Sequence, residues 1–342
     1  GKTTTSSMLA HLLKQSHVDC NAFLGGILKN YDSNLMLSDK SDLTVIEADE
    51  FDRSFHWLTP YMAVITAADP DHLDIYGTAE AYRESFEYFT SLIRPDGCLI
   101  MRKGIDVTPR LQEGVKLYTY SASEGGDFHA ENIRIGNGEI WFDFVGPDIR
   151  IADIQLGVPV KVNIENGVAA IALAWLNGVT PEEIKKGMAS FAGPKRRFDF
   201  HLKKENIALI DDYAHHPAEL KASIQSVKEL YAGRKVTGIF QPHLYTRTRD
   251  FAADFAASLS LLDELILLDI YPAREEPIPG VTSEIIFDAV TIPAKKLIRK
   301  GELLGLVEKE ADTFEIVLMV GAGDIDRLIE PVKQILDKKL CV

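Results

Sequence analysis

Gly1-Lys2-Thr3-Thr4 places a glycine, an ammonium and two hydroxyls in succession at the start of the chain. In the order G-K-[ST] such residues close a phosphate-binding loop. Backbone N–H groups at a helix N-terminus hold the phosphates, Lys reaches the β- and γ-phosphates, and the hydroxyl meets Mg²⁺. The opening glycine of that pattern falls before Gly1 and the first residue is not Met, so the sequence reads as a fragment of a longer protein. Three residues alone are common by chance, but Val45-Ile46-Glu47 adds a carboxylate at the end of an apolar run, where a phosphate-loop enzyme keeps an acid for Mg²⁺.

A second group is Asp69-Pro70-Asp71-His72-Leu73-Asp74, with three carboxylates and an imidazole in six residues. Their mutual repulsion is offset by a cation or by a proton-transfer role. His72 reads either as a ligand to a second metal or as a loop residue capping the next helix. Asn163 and Asn166, three apart on a helix start, put two amides on one face, either for an adenine edge or as caps. Asp211-Asp212-Tyr213-Ala214-His215-His216-Pro217 and Gln241-Pro242-His243-Leu244-Tyr245-Thr246-Arg247 each follow an apolar run. Such strand ends are where open α/β sheets bind ligands, and Arg grips carboxylates with two parallel hydrogen bonds.

The elements that position these groups alternate. Residues 4–16, 79–92, 163–177 and 181–191 carry helical patterning, and 43–46, 63–66 and 97–101 read as buried parallel strands. Strict alternation from 129 to 155, with Gly136-Asn137-Gly138 as a turn, predicts a small antiparallel addition. After Gly193-Pro194 and a basic cluster, strands at 207–210, 236–240, 265–268 and 316–320 alternate with helices at 217–231, 248–262 and 324–338. The expected class is therefore α/β. A phosphate-loop-type ATPase domain over 1–194 precedes a Rossmann-like, doubly wound domain over 195–342, with a hinge near Gly193 that permits closure.

Composition bounds the function. With 37 basic and 51 acidic residues, the formal charge of −14 argues against a nucleic-acid or membrane-surface binder. Cys20, Cys98 and Cys341 form no C-x-x-C pair, which favours a reducing cytoplasm over a disulfide or zinc framework.

Taken in order, Gly1 to Thr5, Glu47 to Phe55, Asp71 to Gly77, Arg196-Arg197-Phe198, Asp211 to Pro217, Gln241 to Thr248, Glu276-Pro277-Ile278-Pro279-Gly280 and Gly321-Ala322-Gly323-Asp324 resemble the motifs of the Mur ligases of peptidoglycan synthesis. The alanine-adding branch is the most similar. The resemblance implies the central ATPase and C-terminal domains without the N-terminal UDP-binding domain, so that the fragment alone is expected to be inactive. It implies ATP and Mg²⁺ as cofactors and UDP-N-acetylmuramate and L-alanine as partners, joined through an acyl phosphate. Gly1, Lys2, Thr3 and Thr4 would bind phosphates, and Thr3, Glu47 and His72 would hold metal. Asn163 and Asn166 would meet adenine, and Arg197 and Asp212 would reach phosphates and ribose. His215, His243 and Arg247 would form the amino-acid end, with one His as base. Lys2, His72, His215 and Arg247 are the expected catalytic set.

Two departures qualify this. Ala81 to Glu87 contains no Lys, so no carbamylated Lys is carried over, and Ala67-Ala68-Asp69-Pro70 stands where relatives often show Asn and a longer polar residue. Two other readings are a recycling ligase that attaches a tripeptide to the same UDP-sugar, and a non-catalytic nucleotide-binding module. The residues 241–248 favour single-residue addition over the first, and the acidic and His motifs favour an enzyme over the second.

Overall fold

Helix α1 (Lys2–Lys14) begins directly after Gly1 and buries Met8, Ala10, Leu12 and Leu13 along one side. It leads to β1 (Asn21–Leu28), β2 (Ser33–Met36) and β3 (Thr44–Ile46), a sheet of order β2-β1-β3 in which β1 runs parallel to β3. The computed structural model describes residues 1–69, 73–123 and 125–339. Its contacts divide into one unit of Gly1–Ile135 with Glu139–Lys195, and a second from Arg196 onward with Gly136–Gly138.

The first unit continues through β4 (Met62–Ile65), the short α2 (Leu73–Tyr76), α3 (Ala79–Ser91), β5 (Cys98–Arg102), β6 (Lys116–Ser121), β7 (Phe128–Gly136), β8 (Glu139–Gly146) and β9 (Ile149–Gln155). These six strands form one sheet in chain order, parallel from β4 to β7 and antiparallel between β8 and β9. Asn137 and Gly138 both take positive φ between β7 and β8, as a tight hairpin turn requires. Then α4 (Val162–Leu176), apolar on nearly every side, packs on α1, and α5 (Pro181–Ser190) starts with Thr180 and Glu183 in a capping box.

One expectation needs correcting. Residues 43–46 were expected as a buried strand, yet Thr44 and Ile46 are exposed and only Val45 is covered. β3 is a sheet edge, and it belongs to a different sheet from β4.

His11 of α1 is buried, with Nδ1 2.9 Å from the Tyr31 hydroxyl and Nε2 2.9 Å from Ser190 Oγ. Burial pushes its pKa down to about 4. The unfolded chain takes up this proton near pH 6.5 but the folded chain waits until about 4. Its contribution is therefore complete above the first value and lost on falling to the second, by about 3 kcal/mol. His11→Gln is expected to flatten that acid decline in denaturant titrations at several pH values; an unchanged slope would refute the assignment.

The second unit comprises β10 (Asp199–Lys203), β11 (Ala208–Asp212), α6 (Pro217–Leu230), β12 (Val236–Phe240), α7 (Tyr245–Asp250), α8 (Ala252–Leu259), β13 (Glu264–Leu267), α9 (Glu284–Ala289), β14 (Lys295–Leu297), α10 (Leu303–Glu310), β15 (Ile316–Val320) and α11 (Ile329–Lys339). Sheet order is β10-β11-β15-β12-β13-β14, parallel apart from the edge strand β10. Leu209, Val317, Met319 and Ile239 pack with Val307 of α10 and Val332 of α11. Phe240 points the other way, onto Phe255 of α8 at 5.4 Å. A sheet covered on both faces explains the unbroken apolar runs. The expected helix 248–262 is instead two helices meeting at Phe251.

Candidate functional site

In the first unit the N-terminus of α1 gathers the loop residues. Thr3 Oγ1 donates to Glu47 Oε1 at 2.7 Å, and the Gly25 N–H donates to Glu47 Oε2 at 2.7 Å. A Cβ at Gly25 would fall against Glu47 Oε2, so a larger residue there would displace that carboxylate from its present bond to the Gly25 N–H. Lys2 Nζ pairs with Glu50 and lies 3.6 Å from Asp49. The Tyr76 hydroxyl donates to the Glu50 carbonyl, and the Arg53 guanidinium sits 4.7 Å from the Tyr76 ring centre. The loop that follows Glu47 is thus tied to the segment after the His motif. His72 itself lies outside the described residues.

Thr4 stands half-buried in the first turn of α1. Asn163 and Asn166, each 6% exposed, brace the loop from α4. Asn166 donates to Asn163 Oδ1 at 3.0 Å and accepts from the Thr5 hydroxyl at 3.2 Å, while Asn163 donates to the Val158 carbonyl at 3.2 Å. An adenine edge would have to share these amides with the brace. A side chain at Gly1 would stand 2.8 Å from Asn166 Oδ1, which accounts for glycine there.

The donors fit a hard cation. Mg²⁺ takes one or two carboxylates or hydroxyls and fills its remaining positions with phosphate and water, and Thr3 with Glu47 offers that set. Among the described residues no three His, Cys, Asp or Glu side chains converge as a self-contained metal cage.

In the second unit the ends of β11 and β12 carry the other cluster. His215, before the Pro-started α6, lies 6.2 Å from His243 between ring centres. Its Nδ1 is 3.0 Å from the Tyr213 carbonyl, which can only accept, so Nδ1 carries the hydrogen and Nε2 the lone pair. In contrast, His243 Nδ1 accepts from Arg247 Nη1 at 3.2 Å. Burial lowers the His243 pKa, and Arg247 and His215 lower it further. His243 also bridges to Tyr271, whose ring stacks on it at 5.7 Å.

Glu275 accepts from the Thr246 backbone at 3.0 Å and so fixes the turn of α7 that bears Arg247. Gln241 is buried and spans the neighbouring strand end: its Nε2 donates to Asp324 at 3.0 Å and its Oε1 accepts from Ile325 N–H at 3.0 Å. A side chain at Gly323 would strike Gln241 and Tyr271, so the Gly321 to Asp324 motif closes against β12.

Asp212 ends β11, and burial raises its carboxyl above the usual range. Arg197 lies 5.7 Å from the Tyr213 ring centre. Its neighbour Arg196 is anchored, donating to the Gly321 carbonyl at 2.7 Å and reaching the buried Asp211 at 3.4 Å. Burial pushes Asp211 up to about 7 despite Arg196.

The sequence reading missed Gly25, Glu50, Tyr271 and Glu275. Adjacent glycines inside an apolar strand pattern were the available signal for the first. The others depend on contacts between segments far apart in sequence.

Residues 1–174 match the Mur ligase middle domain and residues 196–324 the Mur ligase glutamate ligase domain. The UDP-N-acetylmuramate–L-alanine ligase of Parabacteroides distasonis is 82% identical over 340 residues, covering 99% of this chain and 73% of that protein. Among solved structures, the UDP-N-acetylmuramate-alanine ligase of Thermotoga maritima superposes with a TM-score of 0.76 at 28% identity, over 100% of this chain and 74% of that one. The MurF ligase of the same organism, solved in complex with ADP, shares the fold at a TM-score of 0.69 and 19% identity, over 99% of this chain and 78% of that one. With both domain matches in order along the sequence and a loop, brace and strand-end clusters where the motifs require them, the chain belongs to the Mur ligase family.

Proposed function

We propose that this chain carries the ATP-dependent joining of L-alanine to the carboxylate of UDP-N-acetylmuramate, a step in peptidoglycan precursor synthesis. The observation that carries the reading is the convergence of Lys2, Thr3 and Glu47 at the N-terminus of α1, in a chain 82% identical to a ligase of that name.

A carboxylate is a poor acyl donor because its leaving group would be oxide. Transfer of the γ-phosphoryl to it gives an acyl phosphate and ADP; the alanine amine then adds to the carbonyl, and the tetrahedral intermediate collapses with release of phosphate. Gly1, Thr4 and the first N–H groups of α1 receive phosphate oxygens, and Lys2 exchanges its carboxylate partners for the γ-phosphoryl. Thr3 and Glu47 would hold Mg²⁺ and, on the resemblance, His72 would hold a second ion; when bound, such ions would supply charge stabilisation in the transfer. Asn163 and Asn166 stand behind the loop on the adenine side, and Arg197 and Asp212 contact phosphate and ribose. Arg247 pairs with the alanine carboxylate. His215 takes the ammonium proton at Nε2, because Arg247 occupies the lone pair of His243. We place the reaction in the cytoplasm; among the described residues no helix is long and apolar enough to cross a membrane.

The test is ADP formation by the chain fused to the part of the P. distasonis ligase that it does not cover, supplied with Mg²⁺-ATP and UDP-N-acetylmuramate. Release that requires L-alanine supports the reading. Release only with a tripeptide moves it to the recycling ligase, and no release with either refutes both. In the same protein, Arg247→Met is expected to raise KM for L-alanine roughly 10- to 150-fold, the equivalent of about 1.5–3 kcal/mol for a charged hydrogen bond. An unchanged KM for alanine would remove Arg247 from the pocket.

A further inference from the structure

Arg196-Arg197-Phe198 opens the second unit in a backbone conformation that side chains resist. Arg196 has a φ of 58° and Phe198 one of 48°, both in the left-handed region, and neither is glycine. For a residue as bulky as Phe198 this is an outlier that persists only where the surroundings hold it. The turn buries Phe198 and leaves Arg197 exposed between the two strained positions.

Arg196 is what holds the turn. Its carbonyl accepts from the Tyr213 N–H at 3.0 Å, and its guanidinium lies 5.0 Å from the centre of the same ring that Arg197 approaches. Besides donating to the Gly321 carbonyl, the guanidinium places Nη1 3.6 Å from Asp326. Gly321 in turn donates its N–H to the Asp212 carbonyl at 3.2 Å. One guanidinium therefore ties the turn to the ends of both β11 and β15.

Asp211 completes the clamp, and it is badly built for stability. Its side chain is 1% exposed, Arg196 meets one oxygen at 3.4 Å, and Oδ1 has no hydrogen-bond partner among the described residues. Burying a carboxylate so incompletely paired is costly, and apolar residues of similar volume commonly serve stability as well or better. What the pair supplies is direction, because a planar guanidinium held from several sides has one orientation.

We propose that Arg196 is a positioning residue for nucleotide binding: held by Asp211, the Gly321 carbonyl and the Tyr213 ring, it fixes the left-handed turn that presents Arg197 to the phosphates of ATP. The proposal rests on the reading of Arg197 as a phosphate contact. A side chain presented in place loses less freedom on binding than one carried by a loose segment, so the strain of the turn is met in folding and not in binding.

The test uses the chain fused to the remaining P. distasonis segment, with Mg²⁺-ADP as the probe in titration calorimetry and amide exchange as a second readout. Arg197→Met is expected to raise the Kd for ADP about tenfold, the loss of one charged hydrogen bond, and Arg196→Met to come close to it. The double variant should bind no more weakly than Arg197→Met alone, because Arg196 acts through its neighbour. Exchange of the Tyr213 N–H is expected to quicken at least about tenfold in Arg196→Met, as the turn opens locally. Should that variant not fold, Arg196→Lys and Asp211→Asn keep most of the side-chain volume, and each is expected to weaken ADP binding by about threefold or more. Losses that add in full in the double variant, unchanged Tyr213 exchange, or ADP bound normally by the Arg196 variants but weakly by Arg197→Met overturn the proposal. Quickened exchange in Arg196→Met together with normal ADP binding by Arg197→Met would sink the phosphate reading of Arg197 alone.

Discussion

Lys2→Met, in the chain fused to the remaining P. distasonis segment, is expected to lower the rate of ADP release at least about a thousandfold, the scale on which a positioned cation acts in phosphoryl transfer. Charge on the equatorial oxygens of the moving phosphoryl group must be met by groups already in place, and Lys2 sits at the N-terminus of α1, where backbone N–H groups converge. Its pairing with Glu50 and its 3.6 Å approach to Asp49 involve a part-exposed ammonium, so the substitution removes little stability. The loss should therefore appear in turnover with the melting temperature nearly unchanged. Lys2→Arg preserves charge but not the compact ammonium, and is expected to recover only part of the rate. Wild-type turnover in Lys2→Met would remove Lys2 from the transfer step. A loss that tracked unfolding would assign it a structural role instead.

The loop half of this site was legible because its signals are local. Glycine, ammonium and hydroxyl succeed one another at a helix start, and Glu47 closes a short apolar run. The second unit was also legible, since a sheet covered by helices on both faces demands the apolar runs that mark β11, β12, β13 and β15. What escaped were arrangements made by distance in sequence. The paired glycines Gly25 and Gly26 signal a close approach but not that Glu47 is what β1 meets, and nothing near Glu275 announces that it fixes Thr246. β1 itself, broken by two glycines, lacks a clean alternation, and β3 shows Val45 alone buried because it is an edge. The asparagines show the same limit from the other side. Their i, i+3 spacing was readable, but their bonds to Thr5 and Val158 were not.

The choice between the two imidazoles also lay beyond sequence, and it rests on tautomers. The Tyr213 carbonyl, 3.0 Å from His215 Nδ1, fixes the hydrogen there and leaves Nε2 basic. The guanidinium of Arg247 donates to His243 Nδ1 at 3.2 Å and occupies the lone pair that a base would need. Burial, with Arg247 and His215 adding to it, lowers the His243 pKa, as suits a group that orients rather than accepts. His215→Asn is accordingly expected to reduce amide formation by about 10²–10⁴-fold, the usual worth of a general base. His243→Asn should instead act chiefly on KM for L-alanine, through a less firmly held Arg247. The experiment compares kcat and KM of the two variants with L-alanine as the varied substrate. A fall in kcat in His243→Asn but not in His215→Asn would exchange the two roles, and would mean that Arg247 leaves His243 when the alanine carboxylate arrives.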